Sequence, residues 1–231
     1  MPQDRKPFRM MTAGPVNVTQ TVKQSLIYPE MGHREPEFEE LYSDIRQKLL
    51  TVFAADSQDY NSFVIGGSGT AAMESVLSSI VHKGRKMLVI NNGAFGDRMA
   101  EICDVYGIPA IRTDYQWGEY PQIEGIEALI AQNSDIESVS MVFMETSTGM
   151  VNPVGEVGEL CKKYGKMFAI DAVSGFAGDS LDIRASNVDF CFSNTNKGLS
   201  GLPVISFVLA KKNSVEKIKD IPERSYYLSL L

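Results

Sequence analysis

The sequence has little of what metal sites, disulfide scaffolds and nucleic-acid binders require. Its three cysteines, Cys103, Cys161 and Cys191, stand far apart, so neither a disulfide framework nor a metal pair of short spacing is suggested, and they read as reduced cysteines of a cytoplasmic protein. Its two histidines, His33 and His82, also lack ligand spacing, and no metal is expected. Cations are outnumbered, 22 Lys and Arg against 29 Asp and Glu, for a formal net charge of -7. That balance argues against a nucleic-acid partner, because counterion release needs clustered Lys and Arg. No run approaches the roughly 18 apolar residues of a membrane span. Residues 1–10 carry Asp4, Arg5, Lys6 and Arg9 with no apolar run behind them, so neither a membrane nor a secretory signal is expected. Repeats and low-complexity tracts are lacking as well. What is there is a balanced chain, 44% hydrophobic and 22% charged, long enough at 231 residues for one large domain with a buried core, or for a large domain plus a fragment of another. A cytoplasmic protein with small-molecule partners is the expectation.

From residue 61 onward, short apolar runs alternate with amphipathic segments, the pattern of an α/β domain with a largely parallel sheet. Strands are expected over 62–65, 86–91, 110–113, 138–144, 167–170, 189–193 and 204–210. Helices are expected over 71–83, 96–106, 123–132 and 156–164, where apolar residues recur at spacings of three and four. Ahead of this block, 36–54 reads as one long helix with Phe38, Leu41, Tyr42, Ile45, Leu49 and Leu50 on a shared face, and 12–15 reads as a Gly/Pro turn. The chain closes on Tyr226, Tyr227, Leu228 and Leu230 with no helix stop and no polar tail, and this end reads as an interruption.

Three local signals carry chemistry. Ile65-Gly66-Gly67-Ser68-Gly69-Thr70 leaves an expected strand and enters an expected helix. Glycines let a ligand approach the backbone, and free N–H groups at a helix start favour an anion such as a phosphate. Taken alone, the run serves equally as a structural turn, since it has neither the Gly-Lys-Ser/Thr end of a P-loop nor a full G-x-G-x-x-G. Asp171 ends the apolar strand Met167-Phe168-Ala169-Ile170 at the edge where open α/β sheets bind ligands, or it caps the following helix. Ser193-Asn194-Thr195-Asn196-Lys197-Gly198 follows another strand and brings a lysine to the same edge, where it binds or is simply solvated. Together the three supply a phosphate cradle, a carboxylate to keep a ring nitrogen protonated and an amine to hold an aldehyde, which are the three needs of pyridoxal 5'-phosphate (PLP).

Ser68-Gly69-Thr70, the run from Asn91 to Arg98, Glu145-Thr146-Ser147-Thr148-Gly149, Asp171-Ala172-Val173-Ser174 and Ser193-Asn194-Thr195-Asn196-Lys197 stand in the order and spacing of the class V aminotransferases of fold type I. The chain resembles that family over nearly its whole length. Within it, the run from Glu145 to Pro153, the Asn196-Lys197 pair and the ending Tyr227-Leu228-Ser229-Leu230 look most like 2-aminoethylphosphonate:pyruvate aminotransferases. The run from Met31 to Phe38 looks more like alanine–glyoxylate and serine–pyruvate aminotransferases.

The resemblance implies a three-layer, aspartate-aminotransferase-like PLP-transferase large domain over 21–231, with a mostly parallel seven-stranded sheet, an N-terminal segment over 1–20 and no counterpart of the family's small C-terminal domain. It implies PLP as cofactor, with Lys197 as its attachment and proton carrier. Ser68, Gly69, Thr70 and Asn196 would lie at the phosphate, Phe95 and Val173 on the two ring faces, Thr146 at the phenolic oxygen and Asp171 at the ring nitrogen. Thr12-Ala13-Gly14-Pro15 departs from the Thr-Pro-Gly-Pro common in the family at the segment passing the substrate. The implied reaction moves the amino group of 2-aminoethylphosphonate to pyruvate, giving phosphonoacetaldehyde and alanine, in a homodimer. Two alternatives stand beside it: an alanine/serine–glyoxylate or serine–pyruvate aminotransferase, and a non-catalytic PLP-fold module. The missing C-terminal domain is where the family's substrate-binding Arg usually lies.

Overall fold

The computed structural model describes residues 9–53 and 55–231, so the expected helix end at Ala54 and residues 1–8 of the N-terminal segment lie outside it. A short helix α1 (Gln20–Gln24) and a 3-10 turn at Ser25–Ile27 lead to α2 (Pro36–Val52). The α/β block follows: β1 (Tyr60–Gly66), α3 (Gly69–Ser79), β2 (Lys86–Asn91), α4 (Ala94–Val105), β3 (Ala110–Asp114), α5 (Ile123–Gln132), β4 (Ile136–Val142), β5 (Met144–Glu145), β6 (Met150–Val151), α6 (Val154–Tyr164), β7 (Met167–Asp171), β8 (Phe190–Asn194), β9 (Ile205–Lys211) and α7 (Lys212–Lys217). Seven strands form one sheet in the order β1-β9-β8-β7-β4-β2-β3. β2, β3, β4, β7 and β8 pair in parallel, and β9 pairs antiparallel with both β8 and β1. β9 alone therefore runs against the other six, whose C-terminal ends share one edge.

The sheet is buried on both faces. In β7 all five residues are buried, as a parallel strand covered by helices on both sides requires. Its side chains alternate between two cores: Phe168 and Ile170 join Leu50, Ile126, Val157 and Phe207 on one face, while Met167 and Ala169 join Val76, Met99, Phe192 and Val208 on the other. These two cores make the three layers. α6 closes in the manner its sequence dictates, with Lys162 and Lys163 in the last turn and Gly165 in the left-handed region at φ 63°, its N–H donating to the Cys161 and Lys162 carbonyls.

Three differences from the sequence reading have local causes. The helix expected over 71–83 is Gly69–Ser79, because the Ser138 hydroxyl donates to the Ile80 carbonyl (2.7 Å) and the Glu137 carboxylate takes the His82 N–H (2.7 Å). The strand expected over 138–144 leaves the sheet after Val142, where the buried Asn152 amide donates to the Val142 carbonyl (2.8 Å). The chain then makes the small β5–β6 hairpin. In α2 the apolar face has the expected period, yet only Leu49 and Leu50 are buried, whereas Leu41 is 43% and Ile45 39% exposed. No helix among the described residues is long and apolar enough to cross a membrane.

The uneven burial of α2 sets a contrast that chemical denaturation of the chain can check. Leu50→Ala, which empties a buried site, is expected to cost about 2–5 kcal/mol. In the monomeric chain, Ile45→Ala is expected to cost under about 1 kcal/mol, since half-exposed surface positions contribute little. Equal losses would contradict the burial described.

Candidate active site

Because the strands run together, the loops after β1, β2, β4, β7 and β8 open on the same sheet edge, and each brings one of the residues singled out above. Asp171, last in β7, is buried. Its Oδ1 accepts from the Val173 N–H (2.7 Å), while Oδ2 has no hydrogen-bond partner. Burial, assisted by the charge of Glu145, pushes its carboxyl up to about 7 against the opposing effects of the Val173 N–H, Arg98 and Lys197. Lys197 follows β8, half-buried, and its Nζ donates to the Ala13 carbonyl (2.9 Å). Burial pulls its amine below the usual lysine value, with Asp171 opposing.

The N-terminal segment closes over the lysine. The Val16 N–H donates to the Asn196 carbonyl (3.2 Å), and Gly14, at φ 143°, leaves room for the Lys197 stem: a Cβ there would strike the Lys197 side chain. The departure from the family's Thr-Pro-Gly-Pro thus keeps the glycine that the contact needs.

The glycine-rich run forms the other wall. Ser68 is the N-cap of α3 and makes no side-chain cap bond, and the first-turn N–H groups of an α-helix have no intrahelical partners. Gly69 is buried, and a Cβ on it would lie 2.9 Å from Val173 Cγ2 and 3.0 Å from Asn194 Nδ2. The backbone of this loop therefore reaches the ends of β7 and β8 only because residue 69 has no side chain. The buried Asn194 Oδ1 and Asn196 Oδ1 are both without partners. Thr70 accepts from Arg98 Nη1 at 3.5 Å, and the Arg98 guanidinium lies 4.8 Å from the centre of the Phe95 ring.

Thr146 lies in the hairpin after β4, its hydroxyl hydrogen-bonded to that of Ser174. Ser174 and Arg98 stand inside the family motifs without a role in the sequence reading, and nothing in composition or periodicity singles them out. Glu145 could have been noticed, as an acid at the end of an apolar strand, and the structure buries it completely. Among the described residues, no group of three His, Cys, Asp or Glu is arranged to hold a metal ion.

The residues fit PLP on their own chemistry: a buried, unpartnered carboxylate oxygen, a lysine with its amine biased toward neutrality, and a backbone cradle at a helix start. The fold and this edge define a three-layer PLP-transferase large domain. Residues 17–223 match the family described as aminotransferase class-V, and the chain belongs to that family. It is 35% identical to the bifunctional phosphonoacetaldehyde hydrolase/aminoethylphosphonate transaminase of Clostridioides difficile, over 93% of this chain and 34% of that protein. It is 36% identical to a 2-aminoethylphosphonate–pyruvate transaminase of Salmonella schwarzengrund, over 96% of this chain and 60% of that one. Its structure superposes on alanine–glyoxylate aminotransferase from Nostoc sp. with a TM-score of 0.91 at 28% identity, over 99% of this chain and 61% of the other. The chain thus spans about three-fifths of the length of the last two, and less of the first.

The raised carboxyl of Asp171 has a measurable consequence in the cofactor-free protein. Between the ordinary carboxylate value of 3.8 and about 7, the folded state holds a proton that the unfolded state has lost, so stability falls as pH rises through that window. Asp171→Asn removes the buried charge and is expected to stabilise the cofactor-free chain above pH 7 by a few kcal/mol while flattening this slope. Thermal melts from pH 4 to 8 test it; an unchanged slope in the variant would assign the pH dependence elsewhere.

Proposed function

We propose that this chain is the PLP-holding domain of an aminotransferase that moves the amino group of 2-aminoethylphosphonate to pyruvate, yielding phosphonoacetaldehyde and alanine. The observation that carries the cofactor reading is the meeting, on one sheet edge, of the Lys197 amine, the unpartnered Asp171 Oδ2 and the Gly69 cradle. The choice of donor is supported by the aminoethylphosphonate transaminases among its relatives and by the run from Glu145 to Pro153.

When bound, PLP supplies an electron-withdrawing ring that acidifies a C–H bond of the amine donor. The chain's own residues do the rest. The first-turn N–H groups of α3, with Ser68, Thr70 and Asn196, would hold the phosphate through backbone and side-chain donors at a helix N-terminus. Phe95 and Val173 would bound the ring on its two faces and exclude water from it. The Asp171 carboxylate would hold the proton of the ring nitrogen, and the Thr146 hydroxyl, hydrogen-bonded to Ser174, would lie at the phenolic oxygen. Lys197 Nζ would hold the cofactor's aldehyde carbon and, as a free amine, would accept and return a proton at the donor. Its lowered pKa raises the fraction of neutral amine able to do so.

We place the second subunit of a homodimer against the bare apolar surface of α2. There Leu41 lines a cavity together with Ser25 and Tyr28 of the preceding turn, and Leu26, Ile27 and Tyr28 of that turn are 66–81% exposed. Patches of this kind mark protein partners, and a two-fold axis can pair one with itself. A sedimentation mass that stays monomeric at all concentrations would remove this part of the reading.

A second reading keeps the cofactor and takes alanine or serine as donor with glyoxylate as acceptor. The superposition on an alanine–glyoxylate aminotransferase and the run from Met31 to Phe38 favour it. Absorbance spectra of the PLP-loaded protein, including whatever chain accompanies these residues in the complete enzyme, separate the two. 2-Aminoethylphosphonate is expected to bleach the bound cofactor much faster than alanine or serine; equal or faster reaction with alanine would favour the glyoxylate reading.

Covalent attachment gives a sharper check on the site. Lys197→Ala is expected to abolish the PLP label trapped by borohydride, since no other amine in the motif can hold the aldehyde. Noncovalent binding through the cradle is expected to persist. Pyridoxyl label recovered on a different lysine would overturn the assignment.

A further inference from the structure

Among the described residues, Glu145 is the one buried side-chain carboxylate at the site besides Asp171, and the proposed chemistry gives it no task. It takes part in none of the ion pairs among the described residues. Its partners are all donors: Oε2 accepts from the Phe95 N–H (3.2 Å), and Oε1 accepts from the Ser147 N–H (3.1 Å) and the Ser147 hydroxyl (2.7 Å). The Ser147 oxygen in turn accepts from the Ala94 N–H (3.1 Å). Ala94 and Phe95 are the first two residues of α4, and the N-cap of α4 is Gly93, which has no side chain to cap with.

The start of α4 is therefore capped from another loop. Gly93 packs directly on the Glu145 side chain, where a Cβ would collide with it. A carboxylate held by first-turn N–H groups also meets the positive end of the helix dipole, and a charge-assisted hydrogen bond inside the protein is stronger than a neutral one. Two residues after Phe143, whose N–H donates to the Asp171 carbonyl (2.8 Å), Glu145 is itself tied to the strand that carries Asp171.

We propose that Glu145 is a positioning residue of the cofactor pocket: its carboxylate caps the first turn of α4 from across the sheet edge and so fixes the Phe95 ring that the cofactor lies against. The inference rests on the PLP reading for its functional meaning, but the mechanical link from Glu145 to Phe95 stands without it. A group that merely closed the 145–149 turn would affect stability and leave cofactor affinity independent of Phe95. A group acting through Phe95 loses its influence on the cofactor once that ring is gone.

The test uses this chain, with PLP as the probe, in four forms: unmodified, Glu145→Gln, Phe95→Ala and the double variant. Amide exchange is followed at residue 95 without cofactor, and PLP affinity and the visible circular dichroism of bound PLP are measured with it. In Glu145→Gln, the Phe95 N–H is expected to exchange about tenfold faster, and the PLP dissociation constant to rise by about tenfold with an altered dichroic band. With Phe95 replaced by Ala, the same change at 145 is expected to alter PLP affinity by less than about twofold. Equal affinity losses in both backgrounds, or unchanged exchange at Phe95, would overturn the proposal. If Glu145→Gln fails to fold, Ser147→Ala takes its place, with faster exchange expected at Ala94 and a smaller loss of affinity; protection there unchanged from the parent counts against the proposal. Failure of the unmodified chain to bind PLP would instead strike the cofactor reading, while the exchange comparison, made without cofactor, still decides whether Glu145 holds Phe95.

Discussion

The carboxylate of Asp171 lies inside the protein with one oxygen on the Val173 N–H and the other on nothing. An unpaired buried charge of this kind is costly enough that a group either neutralises or is matched, and much of the surrounding architecture serves to hold it there. β7 is covered on both faces, which keeps water from the strand that ends in Asp171. The parallel order of β2, β4, β7 and β8 then sends four loops to the same edge, so the carboxylate is surrounded by backbone from other strands instead of solvent.

Those loops are stitched to each other by buried amides. Asn92 and Asn152 exchange side-chain hydrogen bonds, Nδ2 of Asn92 donating to Oδ1 of Asn152 at 2.8 Å and Nδ2 of Asn152 returning one at 3.3 Å. Asn152 also holds the carbonyl at which β4 ends. At the far side, Asn91 donates to Asp97 and Asp114 at 2.9 and 2.7 Å, and Arg112 bridges the same two carboxylates. Asn91 thereby fixes the entry to α4 from one flank as Glu145 and Ser147 do from the other. Polar networks satisfied in this way are rigid, and a rigid first turn of α4 holds the Phe95 side chain in a fixed place at the sheet edge.

Much of this was legible in the sequence, and the part that was not has a physical reason. The strands could be read because continuous apolar runs such as Met167-Phe168-Ala169-Ile170 are fully buried, and the helices because their apolar positions recur at 3.6. Lys86–Asn91 and Ile123–Gln132 fall where the pattern puts them. The ends of α3 and β4 were misread because they are set by tertiary bonds from Glu137, Ser138 and Asn152, none of which local periodicity contains. The face of α2 was read correctly as apolar, but a hydrophobic stripe does not say what covers it. Lys197, Asp171 and the glycine run could be found because one edge must collect the C-terminal ends of parallel strands. Glu145 as a cap for α4 could not be, since its partner in that helix, Phe95, lies about fifty positions away, as Ala94 does from Ser147.

The two shifted groups of the site also explain each other. Burial drives Asp171 toward its protonated form and Lys197 toward its neutral amine, so the pocket by itself favours carrying little charge on either. Each still pulls the other back, the carboxylate raising the amine and the amine lowering the carboxyl. A cationic ring nitrogen presented to Asp171 Oδ2 would supply the match that the protein withholds and return the carboxylate to its charged form. At the same stroke, binding of the Lys197 amine to an aldehyde would remove the need to protonate it. The pocket's electrostatics are therefore unfavourable to its own charges and favourable to a ligand carrying a cation at one end and an electrophilic carbon at the other, and the cradle at Gly69 adds the third requirement, an anion.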